Sequence, residues 1–239
     1  MAYDRMNVPL SGYTSMTDRF RTHVRHIDGG ALNNPSLEME WTEFVALFKA
    51  TVASGDGLAV KIHFGLLDHN LIFGISQVYM KNDGAGGYDL SVLDYNLVTA
   101  GKLASSSEAV IDALVDTYLD NVEVKRTDSG GFTPLVKGTD PNASIMPYEL
   151  ELKMLIDQNM QSHGGSMADY TVVINSLFDT EASGGDFIHG IGISLKKGSA
   201  VLLTDALSTS APMLDKMADM MNPCPPRCKK YVKPSPTPE

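Results

Sequence analysis

The chain has 239 residues, of which 43% are hydrophobic and 20% charged, so it can bury a core as one large or two small domains without covalent staples. Its 21 glycines and 12 prolines are scattered and lack the period of a fibrous protein. A formal charge of −10 repels a phosphate backbone and argues against nucleic-acid binding.

The charge is unevenly placed. Residues 222–239 hold Arg227, Lys229, Lys230 and Lys233 against Glu239, a balance of +3, which leaves −13 on the other 221 residues. The first residues lack the cationic and apolar pattern of a secretory signal, so a cytoplasmic location is expected. No stretch approaches the roughly 18 consecutive apolar residues that cross a bilayer. The longest apolar region, 58–80, is interrupted by Lys61, His63, Asp68, His69 and Asn70. Asn142-Ala143-Ser144 fits the glycosylation sequon, a short pattern common by chance and discounted without export.

In chain order, residues 1–35 read as a polar lead-in with a short helix over 14–26, stopped by Asp28-Gly29-Gly30. Residues 36–126 form a first α+β half. Ser36 caps a predicted helix in which Leu37, Trp41, Phe44, Val45, Phe48 and Val52 recur at helical spacing. The period then falls to two: Leu58, Val60, Ile62, Phe64 and Leu66 share one face, with Lys61 and His63 on an exposed one. Asp68-His69-Asn70 supplies turn chemistry before a second strand over 71–80, and a third follows over 88–95, making an antiparallel meander. Ser105 and Glu108 match the capping box, and Val110, Ile111, Leu114, Val115, Tyr118 and Leu119 mark the helix behind it.

Residues 127–146, rich in turn formers, read as a linker. The second half, 147–221, is expected to hold a helix over 147–162, strands over 170–178, 187–196 and 200–203, and a last helix over 210–221. The fold class is therefore α+β: largely antiparallel sheets with flanking amphipathic helices, in two similar α-β-β-β-α halves. Residues 222–239 form a basic, proline-rich tail with both cysteines.

Candidate chemistry is thin. His63, Asp68 and His69 are the densest polar group, but a metal or acid-base site there needs partners that spacing does not supply, and an exposed strand residue beside a turn explains them. His23 and His26 read as surface residues of the first helix. His189, in Phe187-Ile188-His189-Gly190-Ile191-Gly192-Ile193, lies where glycines admit a close neighbour, either a ligand or another strand. His163 suits a helix C-terminus. Gly84-Ala85-Gly86-Gly87 and Lys196-Lys197-Gly198-Ser199 both fail as phosphate loops, and no nucleophile elbow is present. No catalytic residue, metal ligand or cofactor is assigned, and an enzyme is disfavoured.

The tail is the distinctive feature. Cys224 and Cys228 are too far apart for a redox Cys-x-x-Cys and too few for a tetrahedral zinc site without ligands from another chain, leaving also a small disulfide loop, free thiols or a redox switch. The prolines around Cys224, Pro225, Pro226, Arg227, Cys228, Lys229, Lys230 and Tyr231 favour an extended arm that docks rather than packs. Met213, Met217, Met220 and Met221 precede it and suit either core packing or an adaptable contact. The tail with Met217 and Met221 is the expected interaction surface. Its expected partner is another copy of the chain or another protein, with neither nucleic acid nor membrane. The alternative is a ligand-binding or hydrolase-like pocket near His63, Asp68 and His189.

Ala59-Val60-Lys61-Ile62-His63-Phe64-Gly65, followed by a second apolar strand, and the end Cys224-Pro225-Pro226-Arg227-Cys228 resemble uncharacterised small bacterial proteins that pair such a hairpin with a Cys-Pro-Pro-x-Cys terminus. The resemblance leaves 127–211 without a counterpart, and this chain continues for 11 residues past Cys228. It implies that hairpin and tail belong to one design and carries no activity or catalytic residue.

Overall fold

The structure is a computed structural model that describes residues 10–48, 50–85, 87–126, 130–137, 142–147, 163–179, 188–201, 218–219, 222–224 and 230–232. Over these residues the elements run α1 (Leu10–His23), β1 (Val24–His26), β2 (Ser36–Glu40), α2 (Trp41–Ala46), β3 (Gly57–Leu67), β4 (Asn70–Asn82), β5 (Gly87–Val92), β6 (Asn96–Thr99) and β7 (Lys102–Ser105). They continue with α3 (Glu108–Asn121), β8 (Val122–Lys125), β9 (Phe132–Pro134), β10 (Ala143–Pro147), β11 (Tyr170–Asp179), β12 (Ile188–Lys197), β13 (Ala200–Val201), β14 (Ala218–Asp219), β15 (Asn222–Cys224) and β16 (Lys230–Val232). Every strand pair within the sheets is antiparallel, and the α+β class holds. No described helix is long and apolar enough to cross a membrane.

The β3–β4 hairpin is the spine. Its register runs from Gly57↔Met80 to Leu67↔Asn70 around a turn in which Asp68 takes φ +52°, a conformation aspartate tolerates better than most residues. Val60, Ile62, Phe64 and Leu66 join Leu71, Phe73 and Ile75 in the main core, as their period of two requires. The opposite face is also covered: Ala59, Val78 and Met80 form a second small core with Ile145 of β10. Lys61 and His63, expected on an exposed face, are therefore buried, at 9% and 7% exposure. Small residues allow this. Helix α3 lies so close that a Cβ on Gly65 would stand 2.7 Å from Leu114 Cβ, and one on Gly74 would stand 2.6 Å from Ile111 Cδ1.

The hairpin sits in an eight-stranded sheet whose main path is β15-β10-β3-β4-β5-β16, with β6 paired to β4 and β7 to β6. A five-stranded sheet runs β13-β12-β11-β2, with β14 on β12, and a three-stranded sheet runs β1-β8-β9. Segments on either side of 127–146 share a core: Phe64 and Tyr118 belong to one cluster with Val172, Ile174, Phe178 and Ile191.

Several local expectations change. Ser36 does not start a helix, because Ser36–Glu40 pairs with β11 from Thr171↔Glu40 to Asn175↔Ser36, and α2 begins only at Trp41. Edge pairing overrides the helical propensity of Leu37, Glu38 and Met39. Ser105 closes the β6–β7 hairpin opposite Asn96, so the cap of α3 passes to Ser107, whose Oγ accepts from Val110 N at 3.4 Å. The stretch expected as a linker carries β9 and most of β10, with Ala143 opposite His63. Ala218 and Asp219, placed in a last helix, pair instead with Ile193 and Gly192. The helix expected over 147–162 lies outside the described residues except for Pro147, which is in β10.

The contact of α3 on β3 is testable. Gly65→Ala should cost about 1–3 kcal/mol in urea unfolding, since Leu114 Cβ is fixed to the helix backbone and α3 must move. Gly74→Ala should cost less, because the terminal methyl of Ile111 can rotate away. Unchanged stability for Gly65→Ala would refute the close packing.

Candidate functional site

Strand β1 ends at His26, and the chain reverses through Ile27, Asp28, Gly29 and Gly30. His26 N donates to Gly30 O at 2.9 Å and Gly29 N to His26 O at 2.8 Å, while Gly29 takes φ +92°, where a side chain is strained. The Asp28 carboxylate accepts Gly30 N at 2.8 Å, a local turn bond characteristic of aspartate. Ile27 N donates to Asn121 O at 2.8 Å, which fastens the turn to the end of α3. The β3–β4 tip is tied to the next stretch of chain: Asn33 N donates to His69 O at 2.7 Å, and Leu71 N to Asn33 O at 3.0 Å.

These anchors bring three side chains together. His26 Nδ1 lies 2.9 Å from Asp28 Oδ1, and His69 Nε2 lies 2.9 Å from Asp28 Oδ2. The two imidazoles meet edge to face with centroids 4.3 Å apart. One carboxylate thus clamps two rings, of which His26 is mostly covered while Asp28 and His69 face solvent. The Gly30 amide, then His69 and His26, hold the Asp28 carboxyl well below the usual carboxylate range. This is the one trio of His, Cys, Asp or Glu side chains among the described residues whose donor atoms all lie within 4.8 Å of one another.

The groupings suggested by spacing are redistributed. His69 joins the trio, whereas His63 points inside, where its Nε2 bonds Ser76 Oγ at 2.9 Å and burial, followed by the nearby Lys61 charge, pushes its pKa down to about 3. Tyr95 stands 6.4 Å from that ring with its hydroxyl pushed up to about 12, first by burial and then by Glu108, so both groups are uncharged at neutral pH. Asp68 is exposed at the hairpin tip. His189 pairs in backbone register with Phe178 in the five-stranded sheet, a different sheet from the one that holds His63. His23 and His26 also part: His23 is buried, its Nδ1 2.9 Å from Thr22 Oγ1 and its ring 5.1 Å from Phe178. In the sequence Asp28-Gly29-Gly30 reads as a helix stop, which accounts for Asp28 without a site; the signal for the trio is the His26-x-Asp28 spacing ahead of two glycines. The sequon residues Asn142 and Ser144 are buried.

In the tail, Asn222–Cys224 pairs with β10, Cys224 facing Ala143, and Lys230–Val232 pairs with β5, Tyr231 facing Tyr88. Met217, Met221, Pro225, Pro226, Arg227, Cys228 and Lys229 lie outside the described residues. Comparison with protein-family models, curated proteins and solved structures finds no match to the chain.

The burial of His63 has a measurable consequence. Its pKa falls from 6.5 in the unfolded chain to about 3 in the fold, so between these values the unfolded state binds a proton that the folded state does not. Stability should therefore drop as pH falls below 6.5, by up to about 1.4 kcal/mol per pH unit, and His63 should add no pH dependence above that value. His63→Gln should flatten this slope in denaturant titrations at graded pH. An identical slope in the variant would show that His63 is not held neutral.

Proposed function

We propose that the chain is a non-enzymatic structural protein that assembles with further copies of itself through its C-terminal tail. The observation that carries this reading is the position of β15 and β16: each is a three-residue strand added to an end of the eight-stranded sheet's main path. Such edge pairing uses main-chain hydrogen bonds that do not distinguish a chain's own tail from a neighbour's, which is the basis of strand exchange. The charge division favours the same encounter, a +3 arm meeting a body of −13. The resemblance to small bacterial proteins that combine a similar hairpin with a similar tail is consistent with both being parts of one assembly device. The alternative pocket around His63, Asp68 and His189 has weaker support, because His63 is already bonded to Ser76 in the interior.

Light scattering over a range of concentrations and at low and moderate salt tests the proposal. The full chain should be a dimer or larger, and a chain ending at residue 221 a monomer. Tyr231→Pro, which removes a strand N–H without shortening the chain, should weaken assembly in the same direction. A full chain that is monomeric throughout, or a truncated chain of unchanged oligomeric state, would sink the idea.

A further inference from the structure

We infer that His26, Asp28 and His69 form a surface site for one divalent transition-metal ion of the zinc class. Two imidazole nitrogens and a carboxylate oxygen make a donor set of borderline softness, suited to zinc, cobalt, nickel or ferrous iron rather than to calcium or magnesium. With metal–ligand bonds of about 2.0–2.2 Å, ligand atoms around one ion must lie a few ångströms from each other. Here they lie within 4.8 Å, with Asp28 2.9 Å from each ring nitrogen. In the metal-free chain each of these contacts needs a proton between nitrogen and oxygen, and an ion takes the place of both.

Two further observations favour a built site over a chance meeting of polar groups. The ligands come from two turns that are 41 residues apart in sequence and are each fixed by backbone hydrogen bonds, so little ordering is left to pay on binding. The Gly30 N–H on the Asp28 carboxylate is the kind of outer hydrogen bond that orients a metal-binding carboxylate. Three protein ligands also leave a coordination position open for water or a fourth donor. A net charge of −10 raises the local concentration of cations around the chain. None of this depends on the tail, so the site and the assembly reading stand or fall separately.

The test is titration of the untagged full-length chain with Co(II), read by visible absorption, followed by displacement with Zn(II). One ion per chain is expected, with a rise in thermal midpoint on zinc addition. His69→Gln, at an exposed turn position, should keep the fold by circular dichroism. It should weaken binding by more than the roughly 10–100-fold that loss of an outer-shell partner costs. Asp28→Asn should weaken it in the same direction, and a Cys224→Ser/Cys228→Ser double variant should bind as the original chain does. Absence of Co(II) binding would overturn the site. So would undiminished affinity in His69→Gln, or binding lost only in the cysteine variant, which would move the metal to the tail thiols.

Discussion

The pairing of β3 with β4 sets the surroundings of nearly every other element. Because side chains alternate along a strand, a slip of one residue in this register would carry Lys61 and His63 into the main core and turn Ile62 and Phe64 out of it. The same register places Gly65 and Gly74 under α3 and puts His69 at the hairpin tip. A hairpin covered on both faces has no neutral alternative alignment, and this specifies it more strongly than backbone hydrogen bonding does.

How much of this is visible in the sequence depends on whether the cause is local. The two long strands, α3 and the pair β11–β12 announce themselves through periodicity and turn residues, and the structure places them within a few positions of where the pattern ends. Ser36–Glu40 reads as helix because its residues favour helix, while its strand state comes from pairing with a segment more than 130 positions away. The β6–β7 hairpin was missed because its turn is Ala100-Gly101, both at positive φ, and alanine carries none of the signal that asparagine would. Lys61 and His63 looked exposed because they are polar. The contrary signal lay in their neighbours, since Ala59, Gly65, Gly74 and Ser76 are small, and small residues on one face mean that something lies close against it. His26 and Asp28 meet within one turn, but the arrival of His69 beside them follows from tertiary contact alone.

Polar burial is a cost that the fold carries at several places. His63 is satisfied by Ser76, but Asn142 Oδ1, Ser144 Oγ, Ser176 Oγ and Trp41 Nε1 are buried without a hydrogen-bond partner among the described residues. Each such group costs of the order of 1–3 kcal/mol in lost hydration. Asn142 and Ser144 flank Ala143, on the side of the sheet where β10 separates β3 from β15. Strand β15 joins the sheet beside these two residues.

Covering both faces of the hairpin also restricts where accessible chemistry can be displayed. A hairpin whose two faces are covered, with α3 packed against Gly65 and Gly74, and whose edges carry β10 and β5 offers solvent little besides its tip. Polar groups held in fixed geometry must then come from turns, which a rigid scaffold can place accurately while leaving their tips in water. The Asp68-His69 tip and the turn from His26 to Gly30 meet that condition together. One is set by the hairpin register and the other by the Ile27–Asn121 bond to α3, and α3 is itself seated by Gly65 and Gly74. The convergence of two imidazoles on one carboxylate at the surface is thus a consequence of how tightly the interior beneath them is packed.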